Sequence, residues 1–176
     1  MNQAEPVSVP IAGAAPVSGL WQTPATPRAC LVLAHGAGAG MTHPAMAAIA
    51  QGFAARGIAT LRYQFPYMER GSKRVDPPAV AHAAVRAAVA EAARRAPTLA
   101  LFAGGKSFGG RMSSQAQAIA RLDLLRAAVA GLEPRATLKL FADADHAFHV
   151  PAKTGRKDAE LLAEILDAAA GWMAAQ

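Results

Sequence analysis

The feature that most constrains this chain is an alternation of short apolar runs with longer helical stretches. Ala29–Ala34 is a compact apolar run without the polar alternation of a half-exposed strand and predicts a strand buried on both faces; Ile58–Tyr63, Leu99–Ala103 and Ala136–Phe141 read as further short strands. Between them lie Ala-rich stretches with helix punctuation. Thr42 to Arg56 starts at a candidate N-cap, Thr42, and stops at Gly57. Asp76 reads as the N-cap of a helix with Pro77 in its first turn, running to Ala96 and stopped by Pro97. Helical segments are also expected from about Arg111 to Ala120, from Leu122 to Ala130, and from a capping Asp158 to Trp172. Strands alternating with helices require crossover connections and hence a parallel arrangement. The prediction is an α/β fold: a three-layer α/β/α sandwich around a mostly parallel sheet. No internal repeat or linker divides the chain, so residues 1–176 are expected to form a single domain. Residues 1–28, rich in Pro, Ala, Ser and Thr, are expected to be an irregular N-terminal edge segment with short extended pieces at Val7–Val9 and Ser18–Trp21.

Composition narrows the function. With 53% hydrophobic and 17% charged residues, the chain has a core and is not a disordered segment. One cysteine, Cys30, excludes a disulfide framework and a cysteine-rich zinc site. No apolar run is long enough to span a bilayer, and the start, MNQAEPVSVP, lacks a basic-then-apolar signal. The expectation is a cytoplasmic protein with no membrane partner. A net charge of +6 and a pI near 10.1 raise nucleic acid as a ligand. The basic groups are short and scattered, however, and no aromatic residues interleave with them as a stacking platform needs; no nucleic-acid partner is expected.

The strongest chemical signal is Gly105-Lys106-Ser107-Phe108-Gly109, set between an expected strand and an expected helix. This is G-x-S-x-G in the setting that gives it meaning: a serine on a sharp strand-to-helix turn, with glycines where bulk would collide with either element. Ser107 is the candidate nucleophile, and the Phe108 amide at the helix start is a candidate oxyanion donor. The same residues end like a phosphate loop, but that motif needs glycine at position 100, which is Ala100, and an open loop where apolar strand is expected.

Two further segments fit around the serine. His35-Gly36-Ala37-Gly38-Ala39-Gly40 follows the first buried strand, and its small residues allow close backbone approach. The Ala37 amide is the first candidate for the second oxyanion donor and Gly38 the second, with His35 read as hydrogen-bonding the loop. Asp145-His146-Ala147-Phe148-His149 follows the last expected strand. In a parallel sheet, loops at the carboxyl ends of the strands converge. His146 is therefore the candidate base, with His149 as the alternate. Asp143, Asp145 and His146 alone are a weak metal set; neither metal nor cofactor is expected.

These segments together, with Arg62-Tyr63-Gln64-Phe65-Pro66, resemble the small α/β-hydrolases related to dienelactone hydrolase. The resemblance spans roughly residues 16–118 and 121–173 and is strongest to the branch of the third regulatory subunit of the NSL histone-acetyltransferase complex. It implies hydrolysis of a small ester, thioester or similar acyl substrate. The branch also contains scaffold subunits, which implies the alternative of a non-catalytic module that binds a protein partner. Phe65, Pro66, Tyr67 and Met68 are candidates for a substrate pocket, with core or lid roles as alternatives.

One departure from the family pattern stands out. Family members carry two further strands after the nucleophile helix, the second ending in a Gly-x-x-Asp turn that bears the triad's acid. Here Ala118 to Asp123 runs directly from one helical stretch into the next. The chain reads as a shortened member. Asp123 is the nearest candidate acid by sequence, and Asp143 and Asp145 are local alternatives.

Overall fold

In a computed structural model of the chain, residues 3–115, 139, 141, 144, 145 and 148–176 are described. They contain a five-stranded sheet in the order β1-β2-β4-β3-β5. The strands are β1 (Glu5–Val9), β2 (Val17–Gln22), β3 (Ala29–Ala34), β4 (Ile58–Tyr63) and β5 (Ala100–Gly105). The helices are α1 (Pro44–Ala54), α2 (Pro66–Glu69), α3 (Pro78–Arg95), α4 (Phe108–Gln115) and α5 (Asp158–Ala174), with a 3-10 turn at Ala152–Thr154.

β3 sits at the parallel centre, with β4 on one side and β5 on the other. All six residues of β3 are buried, as expected for an apolar run covered on both faces, and so are all six of β4, Thr60 and Arg62 included. Side chains alternate between two cores with the period of a strand. Cys30, Val32, Ala34, Leu61 and Tyr63 pack against α3 and α4. Leu31, Leu33 and Ile58 pack against α1 and α5. The result is the expected three layers, α/β/α.

The N-terminal segment is more regular than expected. β1 and β2 form an antiparallel ribbon, and β2 pairs antiparallel with β4, so of these two strands β1 lies at the edge and β2 inside the sheet. The ribbon is fastened by Val9, Val17 and Trp21, which enter the α3 side of the core.

Helix starts also differ. α1 is capped by His43 rather than Thr42: the His43 Nδ1 accepts from the Ala45 amide at 3.2 Å, and Pro44 takes the first helical position. Gly57 ends the segment at φ +73, as a glycine stop should. Asp76 does not cap α3. It is 4% exposed, and its Oδ2 accepts from the Tyr67 amide at 2.7 Å while its Oδ1 takes the Arg70 guanidinium at 2.7 Å. The short helix α2, not expected from sequence, claims this carboxylate because its first-turn amides lack intrahelical partners. Pro77 then precedes α3 without a side-chain cap. α4 begins at Phe108, three residues before the expected start. The expected helix Leu122–Ala130 and most of the expected strand Ala136–Phe141 lie outside the described residues. Its two described members, Lys139 and Phe141, belong to no strand.

Candidate active site

The site is built where β3, β4 and β5 end. β5 delivers Gly105 beside Ala34, and the Lys106 amide donates to the Ala34 carbonyl at 3.1 Å, carrying the ladder one residue into the turn. Ser107 then takes φ +53. That left-handed conformation costs a residue with a Cβ roughly 1–2 kcal/mol. α4 starts immediately, with the Gly109 amide donating to Lys106 O at 3.0 Å and Arg111 to Ser107 O at 2.9 Å.

The flanking glycines are steric requirements. A Cβ on Gly105 would lie 2.8 Å from the Ala34 Cβ and strike the Ala34 carbonyl oxygen. One on Gly109 would lie 2.6 Å from the Ala34 carbonyl carbon and strike the His35 oxygen, and one on Gly110 would lie 2.5 Å from the Gly105 oxygen. The helix can therefore lean on the end of β3 only because these positions have no side chain.

The loop after β3 lies against this turn. A Cβ on Gly36 would sit 3.6 Å from the Ser107 Cβ, so the backbone of the neighbouring Ala37 is close to the serine. The Ala37 amide makes no hydrogen bond among the described residues. The Phe108 amide is among the first four of α4 and lacks an intrahelical acceptor by position. Gly38 is left-handed at φ +77.

His35 holds this loop and is fully buried. Its Nδ1–H donates to the Gly36 carbonyl at 2.8 Å and its Nε2 accepts from the Phe65 amide at 3.0 Å. Both contacts suit one neutral tautomer, and burial pushes the imidazole below its ordinary range. The ring meets Phe65 edge-on at 5.0 Å, and Phe65 meets Phe108 at 5.0 Å. Phe65 and Tyr67 are fully and almost fully buried. They form the floor of the site rather than an open substrate pocket, because His35 and Phe108 cover them.

The third element is the turn before α5. The Phe148 ring lies 5.2 Å from the Lys106 Nζ, so this turn faces the residue preceding Ser107. His149 Nδ1 meets Asp158 Oδ2 at 2.6 Å, and that carboxylate raises the imidazole above its ordinary range. The candidate base His146, the candidate acid Asp123 and Asp143 lie outside the described residues. Asp145 is described and bonds His149. The pairing of Asp158 with His149 is not legible in the sequence, because an aspartate opening a helix reads as a cap. Nothing in the spacing of the two residues marks them as partners.

Beside the turn, β5 has no buried residue and pairs only with β3 among the described residues. An apolar groove of about 810 Å³ follows it, walled by Leu101, Phe102, Phe148, Leu162, Ile165 and Trp172. Among the described residues no group of three or more His, Cys, Asp or Glu could hold a metal ion, and no helix is long and apolar enough to cross a membrane.

Comparison with known proteins bears on the fold. A family described as "Alpha/beta hydrolase domain" matches residues 27–132. Among solved structures, XC6422 from Xanthomonas campestris, described as an α/β serine hydrolase without lid, superposes with a TM-score of 0.70 at 17% identity, covering 94% of this chain and 93% of that one. Dienelactone hydrolase from Anabaena variabilis gives a TM-score of 0.57 at 20% identity over 64% of this chain and 55% of its own. An alpha-beta serine hydrolase homologue from Coxiella burnetii gives 0.56 at 15% identity, over 64% and 56%. The chain thus spans little more than half the length of the latter two. No curated protein matches it. Identities this low establish the fold alone, but the family match takes in more than half of the 176 residues: the chain belongs to the alpha/beta hydrolase domain family.

Proposed function

We propose that this protein is a serine hydrolase of the dienelactone-hydrolase type, acting on a small ester, thioester or similar acyl substrate. Ser107 is the nucleophile. The observation that carries the reading is its φ of +53 at the end of β5, between glycines that have no room for a Cβ. A serine held in that conformation presents its hydroxyl at the strand end, beside the amides of Ala37 and Phe108. In the proposed reaction Ser107 Oγ attacks the acyl carbonyl while His146 takes its proton. The two amides receive the oxyanion, and the protonated histidine passes its proton to the leaving group. Water then repeats the sequence on the acyl-enzyme. No metal or cofactor enters the reaction. Of the candidate acids, Asp123 is the one suggested by sequence order.

The same reading has the chain working in the cytoplasm as a single domain, as a shortened relative of the NSL-subunit branch. No nucleic acid or membrane is among its partners. One observation favours the alternative, a non-catalytic module that binds a protein partner: the apolar groove along the open edge of β5. A fluorophosphonate probe separates the two. It labels an activated serine in the parent protein and not in Ser107→Ala, whereas a module without activity leaves the probe unreacted in both.

A further inference from the structure

Arg62 and Gln64, at the exit of β4, take no part in the proposed reaction, yet both reach across to the loop that follows β3. They converge on one residue. The Arg62 Nη1 donates to the Met41 carbonyl at 3.1 Å, and the Met41 amide donates to the Gln64 Oε1 at 2.9 Å. Gln64 is itself fixed to the sheet, because its amide donates to the Ser18 carbonyl of β2 at 2.8 Å. The loop lies close on its carboxamide: a Cβ on Gly40 would sit 2.9 Å from Oε1 and 3.0 Å from Nε2. The other end of the loop is held from the same strand exit, since His35 joins the Gly36 carbonyl to the Phe65 amide. Between these anchors lies Ala37, next to Gly36, whose Cβ would lie 3.6 Å from the Ser107 Cβ.

We propose that Arg62 and Gln64 are positioning residues of the hydrolase site: by holding the Met41 carbonyl and amide they fix the 36–41 loop, and with it the Ala37 amide, beside Ser107. The inference rests on the assignment of Ser107 as nucleophile and of the Ala37 amide as oxyanion donor. Gly36, Gly38 and Gly40 give the loop more backbone freedom than any other residue type would. An oxyanion donor is effective when it is held in place before the reaction, and misplacement by an ångström costs about 100-fold. Two side chains anchored in the sheet remove that freedom at the Met41 end, as His35 does at the Gly36 end.

The burial of Arg62 supports this role. It is 4% exposed, and a buried guanidinium is costly unless its donors are used. Among the described residues its Nε has no partner and no carboxylate pairs with it. The contact to the Met41 carbonyl is what Arg62 offers here that an apolar residue such as the neighbouring Leu61 would not. Gln64 is half-buried, so its hold on Met41 can be removed without opening the core. One residue of the pair is thus inside the sheet and the other accessible, and both act on the same peptide groups.

The test is saturation labelling of Ser107 with an alkyl fluorophosphonate, which separates the maximal labelling rate from the half-saturating probe concentration. Amide hydrogen exchange and melting are followed on the same variants. Gln64→Leu removes the acceptor of the Met41 amide, and Gln64→Glu keeps an oxygen there. Arg62→Met removes the donors, and Arg62→Lys keeps one. Gln64→Leu and Arg62→Met should each lower the maximal rate on the order of 10- to 100-fold at an unchanged half-saturating concentration. Gln64→Glu and Arg62→Lys should recover part of it. Exchange of the Met41 amide should quicken about 10-fold in Gln64→Leu, as for the loss of one hydrogen bond. Gln64→Leu labelling at the parent rate, a loss confined to the half-saturating concentration, or equal rates for Gln64→Leu and Gln64→Glu overturns the positioning role. Met41 exchange that Gln64→Leu leaves unmoved overturns the contact itself. Should Arg62→Met fail to fold, the Gln64 pair decides by the same readings. A parent protein that does not label at all overturns the hydrolase assignment on which the inference stands.

Discussion

Ser107 and His35 do opposite kinds of work within a few ångströms of each other. Ser107 carries backbone strain, which the packing of Gly105 and Gly109 on Ala34 and His35 sustains. Removing the hydroxyl leaves the strain and removing the Cβ relieves it. Ser107→Ala and Ser107→Gly should both abolish labelling, and the glycine variant should be more stable than the alanine variant by about 1 kcal/mol in urea unfolding. Equal stabilities would show that the left-handed turn stores nothing. His35 contributes by staying neutral. Its imidazole lies below the ordinary value when folded and near 6.5 when unfolded, so the unfolded state binds the extra proton. Stability from this residue is complete above about pH 6.5 and falls as pH drops toward the folded value. Urea midpoints measured at pH 7.5 and 5.5 should therefore fall in the parent protein, and fall less in His35→Gln. The serine is legible in the sequence because G-x-S-x-G is a local pattern with a local steric cause. The role of His35 is legible only in outline, because its acceptor contact comes from Phe65, thirty residues away.

At the scale of elements, legibility follows how local the cause is. β3 matches its expected bounds because a six-residue apolar run covered on both faces needs no further information, and β4 matches its own because Gly57 and Pro66 punctuate a short β-prone run. The β1–β2 ribbon is less legible: its pairing depends on β4 accepting β2, which no short pattern encodes. α3 begins later than expected because Asp76 is taken by α2. That carboxylate links two elements and gives a direct test. Asp76→Ala leaves the buried Tyr67 amide without its acceptor and should cost about 1–3 kcal/mol. Asp76→Asn keeps an oxygen there and should cost less. Arg70 is largely exposed, so its charge returns to water and adds little. Equal losses for the two variants would show that the ion pair, not the amide contact, is what matters. The positions of Asp123, Asp143 and His146 are a different matter: they lie outside the described residues, and a candidate acid depends on which strands are present and in what order, which no local pattern encodes.

For the molecule as a whole, the outer side of β5, which pairs only with β3 among the described residues, connects the fold to the proposed chemistry. The strand that leads to Ser107 has no buried residue, while β3, beside it, is buried throughout. In the proposed shortened chain the strands that would extend the sheet beyond β5 are the ones that carry the triad's acid. Their loss acts twice. An absent acid leaves the imidazole without its orienting charge; in a serine protease, replacing the triad's Asp by Asn lowers turnover about 10⁴-fold. The two proposed oxyanion amides, on the β3 loop and α4, would lie outside such a lost segment, so a residual rate is expected to survive. Each buried Val or Leu missing from a strand removes roughly 1.5–3 kcal/mol of burial, against a total stability of about 5–15 kcal/mol. The protein should therefore hydrolyse a short acyl p-nitrophenyl ester at least about 100-fold more slowly than the roughly 10 s⁻¹ of a typical enzyme, and should melt within or below the usual range of about 45–65 °C. Steady-state kinetics with calorimetry on the same sample decide it. Ordinary esterase turnover together with a cooperative melt above about 65 °C would mean that the chain has rebuilt both its acid and its sheet. Substitution of Asp123, Asp143 and Asp145 in turn would then identify the carboxylate that took over.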